Sequence, residues 1–271
     1  MFVLWTISCR SKQIHDEQAT GESVNKLVSV LIPTRKRTSM LARCIQSFEL
    51  LSAHPDQIEL IFRIDNDDIE TIKFINEYPF TISTKQIIAD RGNGYGDLHL
   101  MHNHMTYVAE GRWMFAFNDD IYVASYGWDL QIQEHEKEFC VMWQDCFIPS
   151  NSPAANGKAR VSNINFREDW VGNPIYPRKL FDIWGYVSPN PMVDYWFNSV
   201  LDETSRIGLD LKKKIQFETI TTRPDGEYAG KEMDQTFQES RDKLNWQIGM
   251  ENLHDAVQKI INYTNESGWE I

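Results

Sequence analysis

The chain has 271 residues and a formal net charge of −12, from 27 basic and 39 acidic residues. Hydrophobic residues make up 42% and charged residues 24%, which is typical of a folded globular domain and excludes a disordered or coiled-coil chain. It contains no apolar run of about 18 residues, so we predict no membrane-spanning segment. The acidic balance argues against nucleic acid as the main partner, without excluding a local basic groove. Four cysteines that match no disulfide or zinc pattern favour a cytoplasmic location.

The first half of the chain alternates predicted strands and helices. Residues 1–26 carry no regular pattern, so we expect a poorly structured extension there. Short apolar runs predict strands at 27–33, 58–64, 84–89 and 113–117. Apolar residues at helical spacing predict helices at 40–51, 70–76 and 98–109. This order predicts an α/β fold with a Rossmann-like, mostly parallel central sheet and helices on both faces.

The pattern is weaker beyond residue 120. Strands are predicted at 139–143, 163–167 and 214–221, and a helix at 194–207. Residues 149–160 are rich in Pro, Ser, Asn and Gly, which predicts a long loop and a candidate lid. We therefore divide the chain into the extension 1–26, one domain at 27–240 with halves 27–120 and 121–240, and a C-terminal amphipathic helix at 241–271.

Asn118, Asp119 and Asp120 directly follow the fourth predicted strand. Ligands of open α/β sheets bind beyond the carboxyl ends of the strands, so this position favours a binding site. Adjacent carboxylates repel one another, and Mg²⁺ or Mn²⁺ stabilises such a pair because it prefers one or two carboxylates together with phosphate oxygens. A polar turn is the alternative interpretation, because Asp and Asn are ordinary turn residues.

The motifs around this triplet resemble those of the family 2 glycosyltransferases, which have the GT-A fold and use nucleotide-sugar donors. The matching motifs are VSVLIPTRKR at 28–37, RIDNDD at 63–68, Gly96, Asn103, Ala109-Glu110-Gly111 and the acidic triplet at 118–120. The resemblance covers roughly residues 27–217 and is strongest from 28 to 120.

The resemblance implies that a sugar is transferred from a nucleoside-diphosphate sugar, with UDP as the expected nucleotide, to a saccharide or other hydroxyl acceptor. The nucleotide pocket is implied to consist of Pro33, Thr34, Arg35, Asp65 and Asp119. In that family pattern Asp65 accepts a hydrogen bond from the base, and Asp119 faces the ribose or the diphosphate. The implied cofactor is Mn²⁺ or Mg²⁺, with Asp120 as its ligand.

The sequence departs from the family pattern at three places. Asn118 stands where the family has Asp, so the metal would rest mainly on Asp120. His102 stands where an Arg commonly precedes the helix Asn. The family often has a late His that helps to bind the metal, and the corresponding segment here is Thr221-Thr222-Arg223-Pro224.

An inverting transfer needs a general base beside the acceptor hydroxyl. In the family this is an acidic residue at the start of a late helix, and Asp194 matches because it follows a proline-rich turn and opens an apolar helix. Asp194 also suits a helix N-cap, which is compatible with the role of base. Asp182 and Glu168 are the rival candidates. The basic residues Lys158 and Arg160 could close over the diphosphate.

Three other functions stay open at this point. A nucleotidyltransferase would need a glycine-rich basic signature after the first strand, which the segment IPTRKRTSM lacks. A non-catalytic nucleotide- or sugar-binding module and a DNA-modifying glycosyltransferase are also compatible with the fold.

His99, His102 and His104 resemble a metal cluster, but His102 and His104 lie on different faces of a helix, so we expect non-metal roles. The sequence specifies neither the sugar, the acceptor nor the oligomeric state.

Overall fold

The structure is a computed structural model that describes residues 26–148, 159–160, 169–221 and 246–267. The strands within these ranges are β1 (Val28–Thr34), β2 (Ile58–Asp65), β3 (Ser83–Ala89), β4 (Trp113–Ala116), β5 (Ile121–Val123), β6 (Val141–Ile148), β7 (Ala159–Arg160), β8 (Ile175–Pro177) and β9 (Lys212–Thr221). The helices are α1 (Thr38–Leu51), α2 (Ile69–Glu77), α3 (Leu98–Val108), α4 (Trp128–Gln133), α5 (Arg178–Trp184), α6 (Val193–Arg206) and α7 (Trp246–Ser267).

All of these strands form one sheet in the order β3-β2-β1-β4-β8-β6-β9-β5, with β7 paired to β6. The four strands of the first half, β3, β2, β1 and β4, are mutually parallel. The second half mixes a parallel β6–β9 pair with antiparallel neighbours. The predicted α/β class with a mainly parallel sheet is confirmed.

Both faces of the sheet are buried, as the strand pattern predicts. In β1, Val30 and Ile32 belong to one apolar cluster, whereas Leu31 belongs to the other. This alternation follows from the two-residue period of a strand. The first cluster also contains apolar residues of α1, α2 and α4, and the second contains residues of α3, α5, α6 and α7. The predicted helices on both faces of the sheet are therefore present.

The predicted elements of the first half agree with the structure to within about two residues at each end. The sequence missed the short strands β5 and β8 and the short helices α4 and α5, because elements of three to seven residues show too little periodicity. Residues 159–160, predicted as loop, form β7. The predicted strand at 163–167 and most of the predicted extension lie outside the described residues.

The C-terminal amphipathic helix is present as α7, and it packs against α5 and α6. Its buried apolar side chains include Ala256, Val257 and Ile260. None of the helices in the described ranges combines the length and apolar character that crossing a bilayer requires.

The starts of β1, β2 and β4 are joined by the buried carboxylate of Glu59. Glu59 Oε1 accepts hydrogen bonds from Ser29 Oγ at 2.5 Å and from the backbone N–H of Glu110 at 2.6 Å, and Lys85 Nζ lies 2.8 Å from Oε2. Ser29 Oγ in turn accepts the backbone N–H of Gly111 at 2.8 Å. A Cβ at Gly111 would lie 2.5 Å from the backbone nitrogen of Ser29. This position therefore requires the close approach that only glycine allows.

We predict that Gly111→Ala destabilises the fold by about 1–3 kcal/mol, because the new methyl group meets backbone and overpacks the start of β1. Gly172→Ala is the matched control, since its Cβ would meet only Trp170 Cδ1, at 4.0 Å. Thermal and urea unfolding of both variants measures the difference. Equal stabilities would show that β1 can shift to accommodate the methyl group.

Candidate functional site

The turn between β1 and α1, residues 34–37, lies between two acidic turns. β1 pairs in parallel with β2 on one side and with β4 on the other, so the carboxyl ends of these strands meet at one edge of the sheet. The acidic turn after β2 and the triplet after β4 therefore flank this turn. The predicted nucleotide and metal residues brought to this edge are Pro33, Thr34, Arg35, Asp65, Asp119 and Asp120.

On the β2 side, two guanidinium groups hold Asp65. Arg35 Nη1 donates to Asp65 Oδ2 at 3.0 Å, and the buried Arg63 donates to Asp65 Oδ1 at 3.2 Å. Arg35 also forms a bidentate pair with the exposed Asp67, and this hydrogen bonding lowers the pKa of Asp67. Arg63 lies level with Pro33 in the strand register and donates to the carbonyl oxygen of Asp90 at 2.7 Å. These two guanidinium groups fix the position of the Asp65 carboxylate and supply the opposite charge beside it.

Lys36 adopts a left-handed backbone conformation, with φ at 52°. Its backbone N–H donates to Asp68 Oδ2 at 2.6 Å, which holds the turn in this conformation. Asp68 also caps α2, because its Oδ1 accepts the backbone N–H of Thr71 at 3.2 Å. One buried carboxylate therefore fixes both the β1–α1 turn and the start of α2.

On the β4 side, Thr34 and Arg37 hold the acidic pair. The side chains of Asp119 and Asp120 are 5% and 1% exposed. Thr34 Oγ1 donates to Asp119 Oδ2 at 2.9 Å, and Arg37 Nη1 donates to Asp119 Oδ1 at 2.9 Å. The same Nη1 lies 3.5 Å from Asp120 Oδ2. Burial raises the pKa of Asp119 to about 6, because Arg37 offsets only part of the cost of removing the carboxylate from water.

The acidic pair offers only part of a coordination shell, so a cation bound there would take its other ligands from a substrate or from water. Within the described ranges, no group of three or more His, Cys, Asp or Glu side chains is arranged to hold a metal ion. Asp119 and Asp120 nevertheless offer adjacent hard oxygen atoms, and Mg²⁺ commonly takes one or two carboxylates and completes its shell with phosphates. Thr221, the first residue of the segment that the sequence resemblance matched to a late His, lies next to this pair: it pairs with Ile121, and its hydroxyl donates to the Asp120 carbonyl oxygen at 3.4 Å.

A short segment before β8 connects the acidic triplet to helix α6. Asn118 Nδ2 donates to Asn173 Oδ1 at 3.3 Å. Val171 lies two residues before Asn173. Its backbone N–H donates to Asn198 Oδ1 at 3.2 Å, and its carbonyl oxygen accepts from Asn198 Nδ2 at 3.0 Å. Asn198 Nδ2 also donates to the carbonyl oxygen of Asp194 at 2.8 Å. The first turn of α6 therefore lies on the same side of the molecule as the acidic triplet.

Asp194 is in the first turn of α6, but it is not the N-cap. The N-cap is Met192, which makes no side-chain capping bond, so the predicted N-cap role is wrong. Just before the helix, the Met192 backbone N–H donates to Asn190 Oδ1 at 3.0 Å. Burial raises the pKa of Asp194 to about 6, and hydrogen bonds from nearby backbone N–H groups and from Trp170 offset part of that rise.

The other candidates are placed less favourably or are not described. Asp182 is exposed on α5. Glu168 and Lys158 lie outside the described residues, and Arg160 is part of β7. Asn103, which matches the family's helix Asn, accepts the backbone N–H of Val187 at 2.7 Å and so fixes the chain that leads to α6.

The three histidines of α3 are in different surroundings. His102 is buried, and desolvation lowers its pKa to about 4, so it is neutral at physiological pH. Burial also lowers the pKa of His99, and burial together with the charge of Arg63 lowers that of His104. In place of the Arg that commonly precedes the helix Asn in the family, this chain therefore has an uncharged side chain.

Sequence reasoning missed three residues of this site: Arg37, Arg63 and Asn173. Arg63 lies in an apolar strand, and Asn173 lies in a segment without periodicity. Arg37 belonged to the quoted motif but was given no role. The available signal was that the β1–α1 turn carries basic residues and that buried carboxylates at neighbouring strand ends require paired charges.

No protein-family model and no curated protein matches the sequence. Among solved structures, residues 1–349 of S. aureus TarS in complex with UDP-GlcNAc match with a TM-score of 0.55 at 14% identity, over 89% of this chain and 73% of that chain. The same TarS fragment in complex with UDP gives a TM-score of 0.48 at 15% identity, over 88% and 71% of the two chains. The first likeness extends over most of the chain and shows that this protein shares the fold of that TarS fragment.

Proposed function

We propose that this protein is a metal-dependent, inverting glycosyltransferase of the family 2 type, which transfers a sugar from a UDP-sugar to a hydroxyl acceptor. One observation carries the proposal: a single turn links an arginine-held carboxylate after β2 to a buried acidic pair after β4. This arrangement occurs in a fold shared with a protein that was solved in complex with UDP-GlcNAc.

Asp65 is the proposed acceptor of a hydrogen bond from the nucleotide base. Arg35 and Arg63 each contact one of its oxygens, at 3.0 and 3.2 Å, and orient the carboxylate. A carboxylate oxygen has more than one lone pair, so it can accept a base N–H in addition to these contacts. Pro33, Thr34 and Arg35 would form the adjoining wall of the nucleotide pocket.

Asp120, together with Asp119, is the proposed holder of Mn²⁺ or Mg²⁺. When bound, such a cation would neutralise the negative charge that develops on the leaving diphosphate. Asp119 would face the ribose or the diphosphate, oriented by the hydroxyl of Thr34 at 2.9 Å. The protein's own part is to hold the two carboxyl groups side by side in a buried position before the donor binds.

Asp194 is the proposed general base. The acceptor oxygen would attack the anomeric carbon through an oxocarbenium-like transition state, and its proton would pass to the Asp194 carboxylate. The raised pKa of about 6 makes this carboxylate a stronger base than an exposed Asp, while leaving it ionised at neutral pH. The contacts from Asn118 through Asn173 and Val171 to α6 support its position beside the donor site.

Asp120→Asn is expected to lower Mn²⁺-stimulated donor turnover by roughly two orders of magnitude or more, because a metal ion supplies several kcal/mol of charge stabilisation. Turnover is measured as UDP release from UDP-GlcNAc and other UDP-sugars, with and without acceptors. Asp129→Asn is a matched control: Asp129 is buried and binds the backbone N–H groups of Ala53 and His54, so it should affect stability but not metal dependence. Unchanged Mn²⁺ dependence in Asp120→Asn would contradict the proposal. UDP binding without any turnover would indicate a non-catalytic module.

Asp65→Ala is expected to weaken UDP binding by about 1–3 kcal/mol, the cost of an unmade buried hydrogen bond, without changing the metal requirement. Asp67→Ala is the control, because Asp67 also pairs with Arg35 but is half exposed. Titration calorimetry with UDP gives both affinities. If the two variants bind equally, Asp65 acts only by holding Arg35.

Asp194→Asn is expected to lower acceptor-dependent transfer by roughly 10²–10⁴ while UDP affinity is retained. Wild-type transfer should rise with pH through about 6, where the carboxyl groups of Asp194 and Asp119 ionise, and the part of this limb that is due to Asp194 should be lost in the variant. Stability should not fall at pH 7. Because the pKa of this carboxyl is raised on folding, its ionisation lowers the free energy of unfolding as the pH rises toward that pKa. Asn stays neutral and carries no such cost.

Asp182→Asn is the matched control for this test, since Asp182 is exposed on α5. The measurement is a pH–rate profile and a melting temperature for each variant. Normal transfer by Asp194→Asn would contradict the assignment. Loss of transfer in Asp182→Asn would move the base to that residue.

A further inference from the structure

The side chain of Arg37 holds the position of a cation shared by Asp119 and Asp120. A single nitrogen, Nη1, lies 2.9 Å from Asp119 Oδ1 and 3.5 Å from Asp120 Oδ2. The two carboxylates are almost fully buried, whereas the Arg37 side chain is 24% exposed. The guanidinium therefore lies on the solvent side of the acidic pair, where an incoming ligand would meet it.

The neighbouring arginines, Arg35 and Arg63, contact other groups. Arg35 pairs with Asp65 and Asp67, and Arg63 pairs with Asp65 and the carbonyl oxygen of Asp90. Among the arginines whose contacts are described above, it is Arg37 whose guanidinium contacts the acidic pair.

A divalent cation on the acidic pair would repel the guanidinium of Arg37, because Nη1 lies 2.9 Å from Asp119 Oδ1 and 3.5 Å from Asp120 Oδ2. The diphosphate of a nucleotide-sugar carries two negative charges, and it would restore a favourable partner for the guanidinium. Arg37 can move without disturbing the backbone, because its backbone contact is made by its carbonyl oxygen, which accepts the N–H of Leu41 at 2.9 Å. Its guanidinium also matches phosphate geometry through paired N–H donors.

We propose that Arg37 is a positioning residue that exchanges partners: it neutralises Asp119 and Asp120 in the nucleotide-free protein and moves to the diphosphate when the donor binds. This inference rests on the proposed function and deepens it. Arg37 thereby competes with a cation for the acidic pair while the site is empty. Arrival of the diphosphate removes that competition, so cation and nucleotide bind together.

The test compares two affinities that the exchange moves in opposite directions. Mn²⁺ binding to the nucleotide-free protein is followed by the electron paramagnetic resonance signal of free Mn²⁺. UDP and uridine binding are measured by calorimetry in the presence of a chelator. Arg37→Gln should bind Mn²⁺ roughly 10- to 100-fold more tightly, the factor for removing a hydrogen bond to a charged group, and should bind UDP more weakly by a similar factor. Uridine affinity should be unchanged, because uridine has no diphosphate.

Arg206→Gln is the matched control, because it removes the same kind of side chain at an exposed position on α6, where Arg206 pairs with Glu203 and does not contact the acidic pair. Its Mn²⁺ affinity should equal that of the wild type. Unchanged or weaker Mn²⁺ binding by Arg37→Gln overturns the exchange, and so does unchanged UDP binding. If the Gln variant does not fold, Arg37→Met keeps the apolar stem and gives the same comparison. If neither folds, the guanidinium is a structural requirement and the exchange is rejected. Absence of UDP binding in the wild type would instead refute the proposed function, with the Mn²⁺ comparison still deciding whether Arg37 competes for the pair.

Discussion

The site depends on how a four-residue turn distributes its contacts between two acidic strand ends. Thr34 and Arg37 face the acidic pair after β4, whereas Arg35 and the backbone of Lys36 face the acidic turn after β2. The turn therefore joins both halves of the candidate nucleotide site. Each acidic group would be costly to bury alone, because removing an ionised carboxylate from water requires a paired charge or several hydrogen bonds. The position of β1 between β2 and β4 makes this double pairing possible.

The contacts differ between the two sides. Asp65 contacts two guanidinium groups, whereas Asp119 and Asp120 both contact the guanidinium of Arg37. Burial raises the pKa of Asp119 to about 6, and the charge of Arg37 offsets only part of that rise. Because this pKa is raised on folding, the ionised carboxyl costs stability that is fully regained only below its unfolded pKa, and the cost grows as the pH rises toward 6. A binding site for a cation is expected to carry such a cost, which the bound ligand would relieve.

The parts of the fold that the sequence predicted are those whose residues repeat a simple pattern. β1, β2 and β4 are buried on both faces and appear as unbroken apolar runs, so the acidic residues at their ends could be assigned to one edge of the sheet. The role of Arg37 could not be predicted in this way, because it depends on a contact with Asp119 across 82 positions of sequence. The three-residue strand β8 was missed for a related reason. Its place between β4 and β6 is fixed by pairing with distant strands rather than by its own composition.

The contacts that connect the acidic triplet to α6 differ in kind from those that hold the turn at 34–37. Charges hold the turn at 34–37 to its acidic neighbours, but the link from Asn118 to α6 uses the amides of Asn173 and Asn198 and the backbone of Val171. Neutral amide contacts do not depend on pH or on the charge of a bound donor. The charge around Asp119 and Asp120 can therefore change when a ligand binds, while the first turn of α6 keeps its place relative to the end of β4. An ionisable group in that turn, such as Asp194, therefore keeps its position relative to the acidic pair even if the charge at the pair changes.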